Sequence, residues 1–219
     1  AAICSGYRDR GVAININAPA LEKTLTGIRK SLVKRPNRKT PVLTSDLQEM
    51  VRLFPSVSDK KPRLIDLRDK ALLLLGFAGA FRRSELVSLC IEDLTLGRDG
   101  FVVLLRRSKT DQEGAGKEKV IPYGANSSTC PVRALKDWIE ASQITTGPIF
   151  RAVDRHGRMA QSSLSGYAVS KNIKRNPHIQ AQDASKYSGH SLRAGFVTEA
   201  VVRNVPRDLI MAQTGHTSN

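Results

Sequence analysis

The stretch Asp66–Gly79, DLRDKALLLLGFAG, decides how this chain is read. Four consecutive leucines, Leu72 to Leu75, leave the middle of the segment with no polar side. A helix that is apolar all round is a buried one, so the stretch predicts the core of a domain. The longest apolar run, Ala71 to Ala80, is interrupted by two glycines and is far too short to cross a bilayer.

Outward from that helix the pattern stays mostly helical, then changes period. Ala80 to Cys90 is predicted as a further helix. Phe101–Leu105 and Lys119–Pro122 read as two short strands around a polar loop, Ser108–Glu118, rich in Gly and Lys. Helices resume at Pro131–Ser142, Ser163–Arg175, Ser191–Asn204 and Pro206–Gln213. On the N-terminal side, Thr44 or Ser45 is expected to cap a short helix through Phe54, with Gln48 placed to close a capping box. The expected fold is mostly α with a small antiparallel β-sheet, spanning residues 41–219.

Residues 1–40 differ in composition, with nine Lys or Arg against two acids, and Arg29 to Lys39 holds six bases and no acid. Asn17, Pro19, then Leu21, Leu25, Ile28, Leu32 and Val33 predict a capped helix with an apolar stripe. Pro36-Asn37 ends it, and Arg35 to Pro41 reads as a linker.

Thirty-five Lys and Arg against twenty Asp and Glu give a net charge of +15 over 219 residues. A surplus of that size points to a polyanion, because basic faces collect phosphates through counterion release. Cys4, Cys90 and Cys130 are odd in number and far apart, which argues against a disulfide framework or a structural zinc and favours a reducing compartment. No signal-peptide pattern opens the chain, and both ends read as trimmed.

Four short stretches hold residues suited to phosphate chemistry. Arg82 and Glu85 lie three apart after the apolar helix. Arg107-Ser108-Lys109-Thr110 opens the hairpin loop. His190-Ser191-Leu192-Arg193 starts a helix, where backbone N–H groups also favour an anion. Gly215-His216 follows another helix. Singly, each suits an ordinary ion pair, a solvated loop lysine, a helix start or a C-terminal cap. Gly114-Ala115-Gly116-Lys117 is not a P-loop: it lacks the first glycine and the Ser/Thr, and it leads into a strand.

Their order is more specific than any one of them. From about residue 42 to its end the chain resembles the tyrosine recombinases, or phage integrase family, through Arg82-x-Ser84-Glu85, the hairpin Lys109, His190-x-x-Arg193 and Gly215-His216. The resemblance makes residues 1–40 the tail of a core-binding domain. It implies a C-shaped clamp on duplex DNA carrying a specific recombination site, a homotetramer at synapsis, and accessory DNA-bending proteins as further partners. It also implies a cytoplasmic, nucleoid-associated enzyme, with no membrane partner.

The residue types fit that chemistry. Breaking a phosphodiester without a metal or other cofactor needs cations for the charge that builds on the non-bridging oxygens. The planar, permanently charged arginine fork does this well, which assigns Arg82 and Arg193. Arg83, some 100° round a helix from Arg82, cannot share the role. Lys109 on a hairpin can protonate the departing 5′ oxygen, His190 and His216 can hydrogen-bond the phosphate or move a proton, and Glu85 orients the site. In the family a tyrosine attacks and forms a 3′-phosphotyrosyl link, which conserves the bond energy and needs no ATP.

Two departures stand out. Tyr7, Tyr123, Tyr167 and Tyr187 all precede His216, whereas the family's nucleophile follows the Gly-His element. The chain as given is therefore expected to bind a phosphate without cleaving DNA. Ala80 and Thr214 replace residues commonly Gly and Leu in the family, without touching a polar role. Three other readings remain: a DNA-binding or architectural factor with a decayed site, a type IB topoisomerase, and a basic RNA-binding protein that would explain the charge alone.

Overall fold

Proline at the first position and Glu22 in the first turn open helix α1, Pro19–Ser31. Leu21 and Leu25 are its half-buried positions, while Ile28 is exposed. The computed structural model describes residues 10–11, 18–31, 39–54, 62–106 and 116–215. Asn17, Leu32, Val33 and positions 35–38 of the predicted linker fall outside them, whereas positions 39–41 are described. The chain divides into two units, residues 1–38, to which α1 belongs, and residues 39–219.

In the second unit, α2 (Thr44–Arg52) precedes α3 (Leu64–Ala78), the helix predicted from the leucine run. Leu67 and Ala71 through Gly76 are buried on every side of α3. It packs chiefly against α5 (Pro131–Ser142) and α8 (Ser191–Val202). Trp138 of α5 is fully buried and donates its indole N–H to the Ile149 carbonyl at 2.9 Å. Two short helices, α6 (Gly166–Arg175) and α7 (Pro177–Gln180), complete the layer around α3, and α9 (Arg207–Thr214) follows α8.

The capping expectation at α2 is corrected. Leu43 is the N-cap, and its amide donates to Asp46 at 3.0 Å, so Asp46 and not Gln48 closes the turn. The Thr44 amide instead donates to Glu199 of α8 at 2.9 Å. The segment before it is bonded to the same helix and its approach: Thr40 donates to the Lys186 carbonyl and Val42 to the Ser191 carbonyl, both at 2.9 Å. Gly195 permits this fit, since a Cβ there would lie 1.7 Å from the Val42 carbonyl oxygen.

Strands β1 (Leu94–Leu96), β2 (Gly100–Leu105) and β3 (Lys117–Pro122) form an antiparallel sheet in that order. Phe101 pairs with Ile121, Val103 with Lys119 and Leu105 with Lys117. Phe101, Val103 and Leu105 point inward, as period-two alternation requires. A second sheet was not anticipated: β4 (Arg151–Val153) pairs with β5 (Met159–Ser163). It displaces the predicted start of α6 from Ser163 to Gly166, where the Ser165 hydroxyl accepts from the Ala168 amide at 3.2 Å.

Beneath α3 and α6 lies a buried polar knot. The Asp69 carboxylate accepts two bonds from Arg68, at 2.9 and 2.6 Å, and one from Asn172 at 2.9 Å. It also pairs with Arg175. Arg68 further donates to the Arg151 carbonyl at 3.2 Å, joining α3 to β4.

Candidate active site

The predicted helix Ala80–Cys90 is in fact a turn followed by the short helix α4, Arg83–Ser88. Gly79 ends α3, Ala80 takes a left-handed φ of 45°, and Arg82 is extended as the N-cap of α4. Gly79 is required here because the Phe81 ring folds back over it. A Cβ at Gly79 would sit 2.0 Å from that ring.

Three later elements reach this turn. Gln213 of α9 donates to the Ala78 carbonyl at 3.0 Å, Lys119 of β3 to the Gly79 carbonyl at 2.7 Å, and Arg193 of α8 to the Ala80 carbonyl at 2.7 Å. These carbonyls close the C-terminal end of α3, which lacks further intrahelical donors and carries partial negative charge. Cationic donors suit it.

Arg82 and Glu85 form the pair expected from their spacing, though not as a surface contact. Glu85 is buried and accepts from the Arg82 guanidinium at 2.6 Å and from the Arg82 amide at 2.8 Å. The Arg82 side chain remains partly open to solvent, at 19% exposure, so it can meet a ligand. Arg193 is buried. Burial and the neighbouring Arg82 lower its pKa, against the pull of Glu85. The two guanidiniums repel one another, and the carboxylate of Glu85 draws on both.

The remaining predicted residues divide. His190 is the exposed N-cap of α8, so it and Arg193 begin the same helix from different environments, one in solvent and one in the core. Arg83 turns away from Arg82. Its stem lies against Gly166 and Gly189, where added Cβ atoms would meet it at 3.2 and 2.8 Å. Lys109 and His216 lie outside the described residues. α9 ends on Gly215 with a left-handed φ of 69°, and a Cβ there would stand 3.8 Å from Lys117 Nζ at the start of β3. The start of β3 thus lies beside Gly215, the last described residue.

Lys119 is the site residue that sequence reasoning missed. It is 2% exposed, and its ammonium lies 4.7 Å from the centre of the Phe81 ring. Its place follows from the strand: Ile121 is inward, and Lys119 two residues earlier shares that face.

Among the described residues no group of three or more His, Cys, Asp or Glu could hold a metal ion, and no helix is long and apolar enough to cross a membrane. A groove of about 1120 Å³ lies away from the arginines, between α2, α5 and the 123–129 loop, and mixes Arg52, Lys70 and Arg133 with Glu49, Asp137 and Glu140.

Residues 45–219 match the model of the phage integrase family. An integrase/recombinase xerD homolog of Selenomonas ruminantium is 40% identical over 194 residues, covering 89% of this chain and 55% of its own length. The tyrosine recombinase XerD of Vibrio cholerae is 29% identical over 181 residues, covering 80% and 54%. This chain therefore spans about half the length of these relatives. Among solved structures, XerA recombinase superposes with a TM-score of 0.58 at 17% identity, over 97% of this chain and 63% of its own. XerH bound to its difH substrate gives 0.57 at 18% identity, over 83% and 48%. Both share the fold.

Proposed function

The chain belongs to the phage integrase family, and we propose that it forms the phosphate pocket of a tyrosine site-specific recombinase. One observation carries the reading. Arg82 and Arg193, 111 positions apart in sequence, converge on a single turn, with the buried carboxylate of Glu85 beside both.

Arg82 and Arg193 clamp the non-bridging oxygens of a scissile phosphate and offset the charge that grows there during attack. Glu85 fixes the Arg82 fork and amide together, so that guanidinium is oriented before the phosphate arrives. Lys109 protonates the departing 5′ oxygen, while His190 and His216 hydrogen-bond the phosphate or move its protons. The attacking hydroxyl belongs to a tyrosine other than Tyr7, Tyr123, Tyr167 and Tyr187, from the same chain or a neighbour, and forms a 3′-phosphotyrosyl link. Rejoining reverses these steps on the exchanged strand, without ATP or metal.

The substrate is duplex DNA with a specific recombination site, and synapsis uses a tetramer. Residues 1–40 are the end of a DNA-binding domain and its linker. The +15 charge supports a phosphate-binding surface, as do the relatives solved with DNA, XerH on difH and the Tn1549 transposon integrase on circular intermediate DNA. The setting that we propose is a mobile element.

The complete protein, incubated with a nicked duplex of its target site, is expected to trap a covalent adduct at the 3′ phosphate. Replacing the attacking tyrosine by Phe abolishes the adduct and leaves binding intact. Tight, salt-sensitive binding with no adduct under any condition would make this a DNA-binding factor instead. Relaxation of supercoiled DNA lacking any preferred site would make it a topoisomerase.

A further inference from the structure

We propose that Lys119 is a positioning residue for Arg82, acting through the Gly79–Arg82 turn rather than on the DNA. The inference rests on the phosphate pocket proposed above and adds a residue that no part of that mechanism uses.

Lysine is seldom buried to 2% exposure, because removing an ammonium from water is unfavourable unless something specific replaces it. Lys119 shares the inward side of β3 with Ile121 and stands opposite Val103, on a face otherwise apolar. Its replacement contacts are the Gly79 carbonyl and the Phe81 ring. Both belong to the one turn whose geometry decides where Arg82 leaves the backbone.

That turn does not hold itself. Ala80 has the φ of 45° that side-chain-bearing residues avoid, and such a conformation persists only where surrounding structure enforces it. Lys119 and Arg193 enforce it by taking consecutive carbonyls, Gly79 and Ala80. Releasing Gly79 frees the peptide just before the left-handed residue, and Arg82 follows two positions later. Lys119 itself is too deep to touch a phosphate.

The charges facing Lys119 come from each element around it: Glu85 on α4, Arg82 at its cap, Arg193 on α8 and Lys117 on β3. Burial pushes its pKa down to about 7, Glu85 works against this, and the three bases work with it. Near neutral pH much of Lys119 is a neutral amine, which still donates to Gly79 while adding little like charge to the arginine pair.

The test uses the complete protein on a nicked target duplex. Lys119→Met is expected to slow single-turnover cleavage by about 10²-fold, the scale of a small misplacement, with DNA affinity unchanged. Lys119→Arg keeps a donor and recovers most of the rate. Combined with Arg82→Ala, Lys119→Met costs nothing further, because the turn then has nothing to aim. A 5′-bridging sulfur substrate does not restore Lys119→Met. An additive double mutant, or rescue by sulfur, overturns the proposal, the latter making Lys119 the leaving-group acid.

Amide hydrogen exchange tests the turn directly even if the wild-type protein never cleaves, an outcome that would refute the recombinase reading itself. Exchange at Phe81 and Arg82 accelerates in Lys119→Met and not in Lys119→Arg, while β4–β5 is unaffected. Unchanged protection of the turn in Lys119→Met overturns the inference. If Lys119→Met does not fold, Lys119→Gln, polar but too short to reach Gly79, carries the same expectations.

Discussion

Two buried clusters in the second unit use the same residue types for opposite ends. Around Asp69, the carboxylate accepts two bonds from Arg68, one from Asn172 and a contact from Arg175, whose side chain is 41% exposed. Hydrogen-bonding capacity is matched there, and water screens the surplus base. Around Gly79–Arg82, among the described residues, Arg82, Lys119 and Arg193 gather about the carboxylate of Glu85. Two of these bases donate to neutral carbonyls. The first cluster centres on one carboxylate that takes all of these bonds, whereas in the second the bases are held largely by backbone dipoles.

The comparison is broken most severely at Asp69. Asp69→Ala leaves Arg68 buried without its partner, and the unfolding free energy is expected to fall by about 3–5 kcal/mol in urea titrations. DNA cleavage per folded molecule should persist, since no proposed catalytic group touches Asp69. Loss of cleavage with stability intact would erase the contrast between the two clusters.

Arg193→Ala is the counterpart at the other cluster. Cleavage by the complete protein should drop by about 10²–10³-fold, equivalent to roughly 3–4 kcal/mol of transition-state stabilisation. Stability should fall far less than in Asp69→Ala, because removing Arg193 relieves repulsion with Arg82 even as the Ala80 carbonyl loses a donor. Paired melting curves and single-turnover rates separate the two variants.

Lys119 offers a smaller, pH-dependent contrast. Its folded pKa of about 7 lies below its ordinary 10.5, so between those values the unfolded chain binds more protons. Its contribution to stability therefore rises with pH across that window and is lost as pH falls through about 7. The stability of wild type relative to Lys119→Met should climb from pH 7 toward pH 10, no more steeply than about 1.4 kcal/mol per pH unit. A flat difference would mean that Lys119 stays charged in the fold.

The smallest effect belongs to the exposed pair Arg52–Glu49, whose side chains are 74% and 47% exposed. Arg52→Ala should change stability by less than about 0.5 kcal/mol, measured by thermal melts at two salt concentrations.

The sequence disclosed most where local pattern and tertiary environment agree. The leucines of α3 are apolar because they are buried, and Pro131 at the first helical position marks the boundary of α5. The pairing of Arg82 with Glu85 was legible from their spacing of three. The break at Ala80 was not. Alanine is a good helix former, and its left-handed backbone is imposed by Lys119 and Arg193, which lie 40 and 113 residues beyond the carbonyls they take. Lys119 was hidden for a related reason: lysine in a strand is ordinarily read as solvent-facing, and only the register with Val103 turns it inward. The β4–β5 ribbon carries too little apolar alternation, with Gln161, Ser162 and Ser163 on its second strand, to announce itself.

The entry to the second unit has a mechanical consequence. Thr40, Val42 and Thr44 are tied in turn to Lys186, Ser191 and Glu199, and the missing side chain at Gly195 lets the backbone of Val42 seat directly on α8. A segment fastened at three points along and just before a helix cannot slide past it. Displacing residues 40–44 must either carry α8 along or rupture those bonds, and α8 bears Arg193. Tension applied at the front of this unit is thereby delivered to the second arginine of the pocket, as a rope hitched to a beam moves whatever the beam supports.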